Sequence, residues 1–159
     1  IEYAKNQVKS GIDCFQLFET YSGIISNEDY CKLILPLSTK ILLEARESGV
    51  PTIFFPKNFN EGLKYINKEM CDYVSVDYDI SLEYARNLLD SEVGIQGNMD
   101  PKTFYLEIDQ IDSYLESLID FGSKNTDWIF NLGHGFRPDI DHNKVKYVVD
   151  WIKNANWKR

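Results

Sequence analysis

Five short apolar runs constrain this chain more than any other feature. Each ends on polar or turn-forming residues, and each is followed by a stretch with helical signals. The runs lie at 13–18, 52–55, 73–76, 93–96 and 128–132. They are continuous rather than strictly alternating, the pattern of strands covered on both faces in a parallel sheet. Helical signals fill the gaps. Residues 2–10 stop at Gly11, and Ser26-Asn27-Glu28-Asp29 opens a helix that Pro36 divides before it ends near Ser48. Residues 61–70 and 81–89 read as helices, and Pro101 suits the first position of another. A further helix covers 108–121 and stops at Gly122, and Asp141 caps a last one striped by Val145, Val148, Val149 and Ile152.

Strand and helix thus alternate about five times. That pattern fits a doubly wound sheet or part of a (β/α)₈ barrel. A full barrel needs about 250 residues, so a chain of 159 can supply only part of one. A doubly wound nucleotide fold usually carries a glycine-rich turn after its first strand. Here Glu19-Thr20-Tyr21-Ser22-Gly23 follows, which favours the barrel.

Other features narrow the function classes. Hydrophobic residues make up 43% of the chain, enough for a core, yet no apolar run reaches the roughly 20 residues that span a bilayer. The net charge of −8 and the lack of a Lys/Arg stripe argue against nucleic acid or an anionic membrane as a partner. Cys14, Cys31 and Cys71 are odd in number and show no zinc spacing. They are expected to be reduced thiols, with Cys14 and Cys71 packed at or near strands. The first ten residues read as mid-helix without an initiator Met, so the chain is expected to begin partway through a larger protein.

In either architecture a ligand binds at the carboxyl ends of the strands. Those ends collect Glu19, Thr20 and Tyr21, then Lys57 and Asn58, Asp77 and Asp79, Asn98 and Asp100, and last His134 and Arg137. Gly133 and Gly135 flank His134 and leave its imidazole uncovered. Each residue also has a plain structural alternative. His134 could bond a neighbouring carbonyl, Thr20 could form a turn, and Glu19 could pair with Lys57 or Arg137. Asp79 and Asp100 suit helix N-caps, Asp77 suits backbone amides, and Phe18 and Phe130 suit the core. His142 falls in the first turn of the last helix and is expected in solvent. No nucleophile–base pair and no metal set follows from the residues, and the chemistry suggested is acid/base assistance or anion binding.

Four segments carry a family resemblance. They are Gln16-Leu17-Phe18-Glu19-Thr20-Tyr21-Ser22-Gly23, Val76-Asp77-Tyr78, Gln96-Gly97-Asn98-Met99-Asp100-Pro101, and Asn131-Leu132-Gly133-His134-Gly135 followed by Pro138-Asp139. In order and spacing the chain resembles the C-terminal part of uroporphyrinogen decarboxylases over nearly its whole length, so residues 1–159 are expected to be one piece of a single barrel domain. The resemblance implies a TIM barrel of which this chain supplies about the last five strands. It implies cofactor-free and metal-free decarboxylation of the four acetate side chains of uroporphyrinogen in heme and tetrapyrrole biosynthesis. It also implies a tetrapyrrole substrate and a homodimeric full-length protein, and the cytoplasm is the expected compartment. In the family the position of Thr20 is a Ser or Thr that contacts a substrate carboxylate, and the position of His134 is a histidine that binds substrate at the cleft. His134 is therefore the expected catalytic residue, and Thr20, His134 and Phe18 are the expected substrate contacts. Phe18 stands on a cleft-lining strand, and residues 96–101 shape the loop beneath the substrate. The family's essential aspartate, arginine pair and tyrosine fall upstream, so the fragment alone is expected to be inactive. Thr20, Tyr21-Ser22 and Tyr78 depart from the common family pattern. Two alternatives belong to other classes. Zinc-dependent corrinoid or thiol methyltransferases share the barrel but need a His-x-Cys set, and Pro56-Lys57-Asn58 and Gly133-His134-Gly135 contain no cysteine. A non-catalytic self-associating module is the other, since five strands leave two sheet edges open.

Overall fold

The apolar runs become five parallel strands: β1 (Phe15–Glu19), β2 (Thr52–Pro56), β3 (Tyr73–Ser75), β4 (Gly94–Met99) and β5 (Trp128–Leu132). The computed structural model describes residues 1–158. The strands lie in the order β1-β2-β3-β4-β5, every neighbour parallel. A doubly wound sheet reverses direction at a switch point, whereas this one advances by one strand each time, as a barrel wall does. The sheet is also curled. Gln96 on β4 donates through Nε2 to Ser75 Oγ on β3 at 3.0 Å and reaches Gln16 Oε1 on β1 at 3.4 Å. β1 and β4 are separated by two strands, so their side chains meet only across a concave interior.

Among the described residues seven α-helices accompany the strands: α1 (Glu2–Lys9), α2 (Asn27–Leu33), α3 (Leu35–Glu47), α4 (Leu82–Leu88), α5 (Ile108–Ser117), α6 (Ile119–Lys124) and α7 (His142–Asn154). Phe15, Phe54, Val74 and Ile95 share one sheet face by register and join a core with Leu42, Ala45, Ile111, Leu115 and Val148. Ser26 caps α2 by accepting from the Asp29 amide at 3.1 Å, and Asp141 caps α7 by accepting from the Asn143 amide at 2.8 Å. The division expected at Pro36 falls two residues earlier, at Ile34, and leaves Pro36 in the first turn of α3, where its missing N–H costs nothing.

Two helix expectations are corrected by tertiary contacts. Residues 61–70 are not an α-helix but a 3₁₀ turn, Asn60–Tyr65, and a second turn closed by the Met70 amide on the Asn67 carbonyl at 3.0 Å. Arg46 takes the carbonyls of Lys68 and Glu69 at 2.8 and 2.9 Å, holding that segment open. Gly122 does not end its helix. The chain breaks at Leu118 and α6 continues through Gly122, whose bare Cα admits the rings of Trp157 and Trp128. Cys14 is exposed just ahead of β1, while Cys71 is fully buried. Burial pushes the Cys71 thiol up to about 12.

The amino ends of the strands are fastened by Asp72. Its carboxylate accepts from the Thr52 amide at 2.9 Å and the Thr52 hydroxyl at 3.1 Å, and pairs with Lys68 at 2.9 Å. Arg46 stands 3.8 Å from the same carboxylate. Among the described residues no helix is long and apolar enough to cross a membrane.

Candidate active site at the carboxyl ends of the strands

The concave face opens into a cavity of about 550 Å³ at the carboxyl ends of the strands. Gln16 and Phe18, two residues apart on β1, lie on one face of the pleat. Phe55 pairs with Phe18 in register, and Ser75 follows on β3. Asn131 joins from β5, the loop after it adds His134 and Phe136, and the loops after β1 and β2 add Thr20 and Lys57. All three expected substrate contacts, Phe18, Thr20 and His134, therefore border one space. Phe18 is not core, as its residue type alone suggested: it is 66% exposed and meets Phe55 edge to face at 5.9 Å between ring centres. Phe130 does turn to the helical side, against Trp128.

His134 is presented by close backbone packing. The Gly133 amide donates to the Met99 carbonyl at 2.9 Å, and a Cβ on Gly133 would stand 2.4 Å from the Tyr78 backbone nitrogen. Only glycine lets the exit of β5 press on the exit of β3 in this way. The exposed imidazole has its Nδ1 3.1 Å from the Gly135 carbonyl, the local bond that a plain turn role calls for. That contact also fixes the ring, and it leaves Nε2 without a partner among the described residues. A carboxylate would be held at Nε2 by the doubly protonated ring.

Not every strand-end residue reaches this cavity. Glu19 pairs with neither Lys57 nor Arg137; its Oε1 accepts from the Tyr21 amide at 3.0 Å and closes the turn after β1. Arg137 stands 3.8 Å from Asp139 on the surface. Asp77 is buried and serves the backbone, accepting from the Asn58 amide at 2.6 Å and the Asp79 amide at 3.0 Å. Asp79 caps nothing; Ser81 caps α4 through the Tyr84 amide at 3.2 Å. Asp100 does cap, but a 3₁₀ turn, Pro101–Tyr105. Asn98 is spent on the carbonyls of Asp77 and Ile80, behind the cavity. His142 is exposed, as expected.

The cavity wall also holds Lys57, one of the collected strand-end residues, and five that were not singled out as site residues, Gln16, Phe55, Ser75, Asn131 and Phe136. Gln16, a polar residue amid an apolar strand, was the legible signal for an inward polar face. A larger cavity, about 640 Å³, opens beside Trp128, Phe130 and Trp157. It lies between β5 and the helical layer, with Ser123, Asn125, Thr126 and Lys158 among its lining; the smaller cavity, at the carboxyl ends of the strands where barrels bind ligands, is the better site. The described residues lining the smaller one include no Asp or Glu, although the chain carries a net charge of −8.

Comparison with known proteins bears on the fold and the family. A structure of a methyltransferase from Methanosarcina mazei superposes with a TM-score of 0.69 at 15% identity, covering 94% of this chain and 44% of that one, a likeness of fold alone. The uroporphyrinogen decarboxylase of Trichlorobacter lovleyi is 32% identical over 152 residues, covering 96% of this chain and 45% of the relative. That of Chlorobium luteolum is 33% identical over 162 residues, covering 99% and 46%. The chain thus spans about half the length of the curated relatives it matches. Residues 1–155 match the family described as uroporphyrinogen decarboxylase (URO-D), and the chain belongs to that family.

Proposed function

We propose that this chain forms the C-terminal part of a cytoplasmic, homodimeric uroporphyrinogen decarboxylase and supplies one side of its substrate cleft. The observation that carries the reading is the acid-free cavity bordered by Phe18, Thr20 and His134 in a chain of this family. The substrate is a poly-acid, so the part of a cleft that holds its carboxylates offers donors and keeps acidic side chains away.

Each decarboxylation begins with a proton on the pyrrole ring. The cation so formed takes up the electron pair of the acetate carbon–carbon bond as CO₂ leaves. The exocyclic methylene that remains gains a proton, the ring loses one, and a methyl group results. No cofactor is needed for this sequence; the demand is for charge placed where the cation develops. Thr20 donates its hydroxyl to a substrate carboxylate, and His134 donates from Nε2 to another at the far side of the cleft. Phe18 gives the macrocycle an apolar wall. The groups that face the pyrrole N–H atoms come from outside this chain.

The test is anaerobic conversion of uroporphyrinogen by the chain alone and after mixing with the upstream half of its full-length protein. Activity only in the mixture is the expected result. Activity of the chain alone would mean that residues within it carry the chemistry. A folded chain inactive in both settings would sink the reading and favour a self-associating module.

A further inference from the structure

We propose that Lys57 is a substrate-binding residue of this cleft, its ammonium group holding a carboxylate together with the Thr20 hydroxyl. The inference rests on the reading above that the cleft takes a polycarboxylate. Lys57 lines the cavity and makes no ion pair among the described residues. Among the described residues it is the one cavity-lining residue that is charged whatever the state of His134. In a chain of net charge −8, an unneutralised ammonium in an acid-free concavity is complementary to an anion.

The backbone that carries it is held from both sides. The Lys57 amide donates to the Glu19 carbonyl on β1 at 3.0 Å, and the Ser22 hydroxyl donates to the Lys57 carbonyl. The next amide, Asn58, is gripped by the buried Asp77 carboxylate after β3 at 2.6 Å. Asn58 itself lies in the left-handed region at φ 59°. A plain connector needs none of this; such a clamp gives a binding group a fixed origin. The clamp also places Lys57 beside the turn of Thr20, whereas His134 leaves the opposite edge strand. Lys57 and His134 therefore take different carboxylates of one ligand.

Lys57 uses only its backbone in the clamp, so Lys57→Ala leaves the fold intact, which an unchanged urea midpoint checks. The probe is uroporphyrin, an octa-acid, added to the full-length protein and followed by tryptophan quenching, with its octamethyl ester as the uncharged control. Loss of one charge-assisted contact at a partly exposed site weakens binding about tenfold, with Lys57→Arg restoring most of it and a weaker salt dependence in the alanine variant. Uroporphyrin binding that Lys57→Ala leaves within twofold would overturn the inference and spare the family reading. If uroporphyrin fails to bind but benzenehexacarboxylate binds and shifts the Lys57 side-chain NMR signals, the anion site stands and the tetrapyrrole reading falls. Binding of neither polycarboxylate would overturn both.

Discussion

Replacing Asp72 by alanine tests what holds the amino ends of the strands. Thr52 opens β2 with no exposed surface, and both its amide and its hydroxyl donate to the Asp72 carboxylate. Truncation leaves two buried donors unmet, at about 1–3 kcal/mol each. It also removes the Lys68 pair, but Lys68 is 44% exposed and that pair is worth about 0–1 kcal/mol. A net loss of about 3 kcal/mol follows from the lower half of these ranges, since water can reach donors uncovered by a truncation. In a domain of this size that is roughly 6–12 °C in Tm. Asp72→Asn keeps one acceptor for Thr52 and should lose roughly 1 kcal/mol. The pH dependence has a definite sign. Burial opposes the Asp72 anion, but the Lys68 ammonium and the Thr52 donors outweigh it and hold the carboxyl below its ordinary value. Stability from this group is therefore present above the unfolded-state value and is lost as pH falls through the folded one. Urea unfolding followed by tryptophan fluorescence between pH 7 and pH 3 measures both. The asparagine variant should show a shallower acid limb than the wild type. An alanine variant less than about 1 kcal/mol below wild type, with an unchanged acid limb, would refute the reasoning.

Three further outcomes follow. His134→Ala in the full-length protein should lower kcat/KM for uroporphyrinogen about tenfold or more, the worth of one charge-assisted contact; unchanged kinetics would remove His134 from the site. Gly133→Ala sets a Cβ against the Tyr78 backbone and should cost about 1–3 kcal/mol while weakening uroporphyrin binding, and an alanine variant of wild-type stability and affinity would contradict the close packing of the β5 exit. In native chain the exposed Cys14 should react first with Ellman's reagent, and the buried Cys71, its thiol pushed up to about 12, only after unfolding; fast labelling of Cys71 would show the core to be open.

The sheet was legible because its strands are apolar runs whose ends coincide with turn chemistry. β5 matches its expected limits, and β4 runs three residues further because Gly97, at φ +133°, lets the strand press on the Val76 carbonyl without a Cβ in the way. What failed depended on partners distant in sequence. Glycine at 122 reads as a stop until two indole rings are seen to need its bare surface. Residues 61–70 read as helical until Arg46, about twenty positions earlier, is seen to hold their carbonyls. The same limit applied at the site. Thr20 and His134 could be named from motifs, but the placing of Lys57 depends on Asp77 gripping Asn58 from a neighbouring strand. No spacing along the chain encodes that grip.

The strand order has a kinetic consequence. Every strand pairs with the one made just before it, and the longest step, from Phe15 to Thr52, encloses only α2 and α3. Each step is a parallel pairing across a crossover, slower to form than a hairpin, yet none needs a strand made later in the chain. The wall can therefore assemble as it leaves the ribosome, each new strand docking on a finished edge. Pulse-labelled amides on β2 and β3 should gain protection before those on β5, because the last strand has no template until β4 is in place.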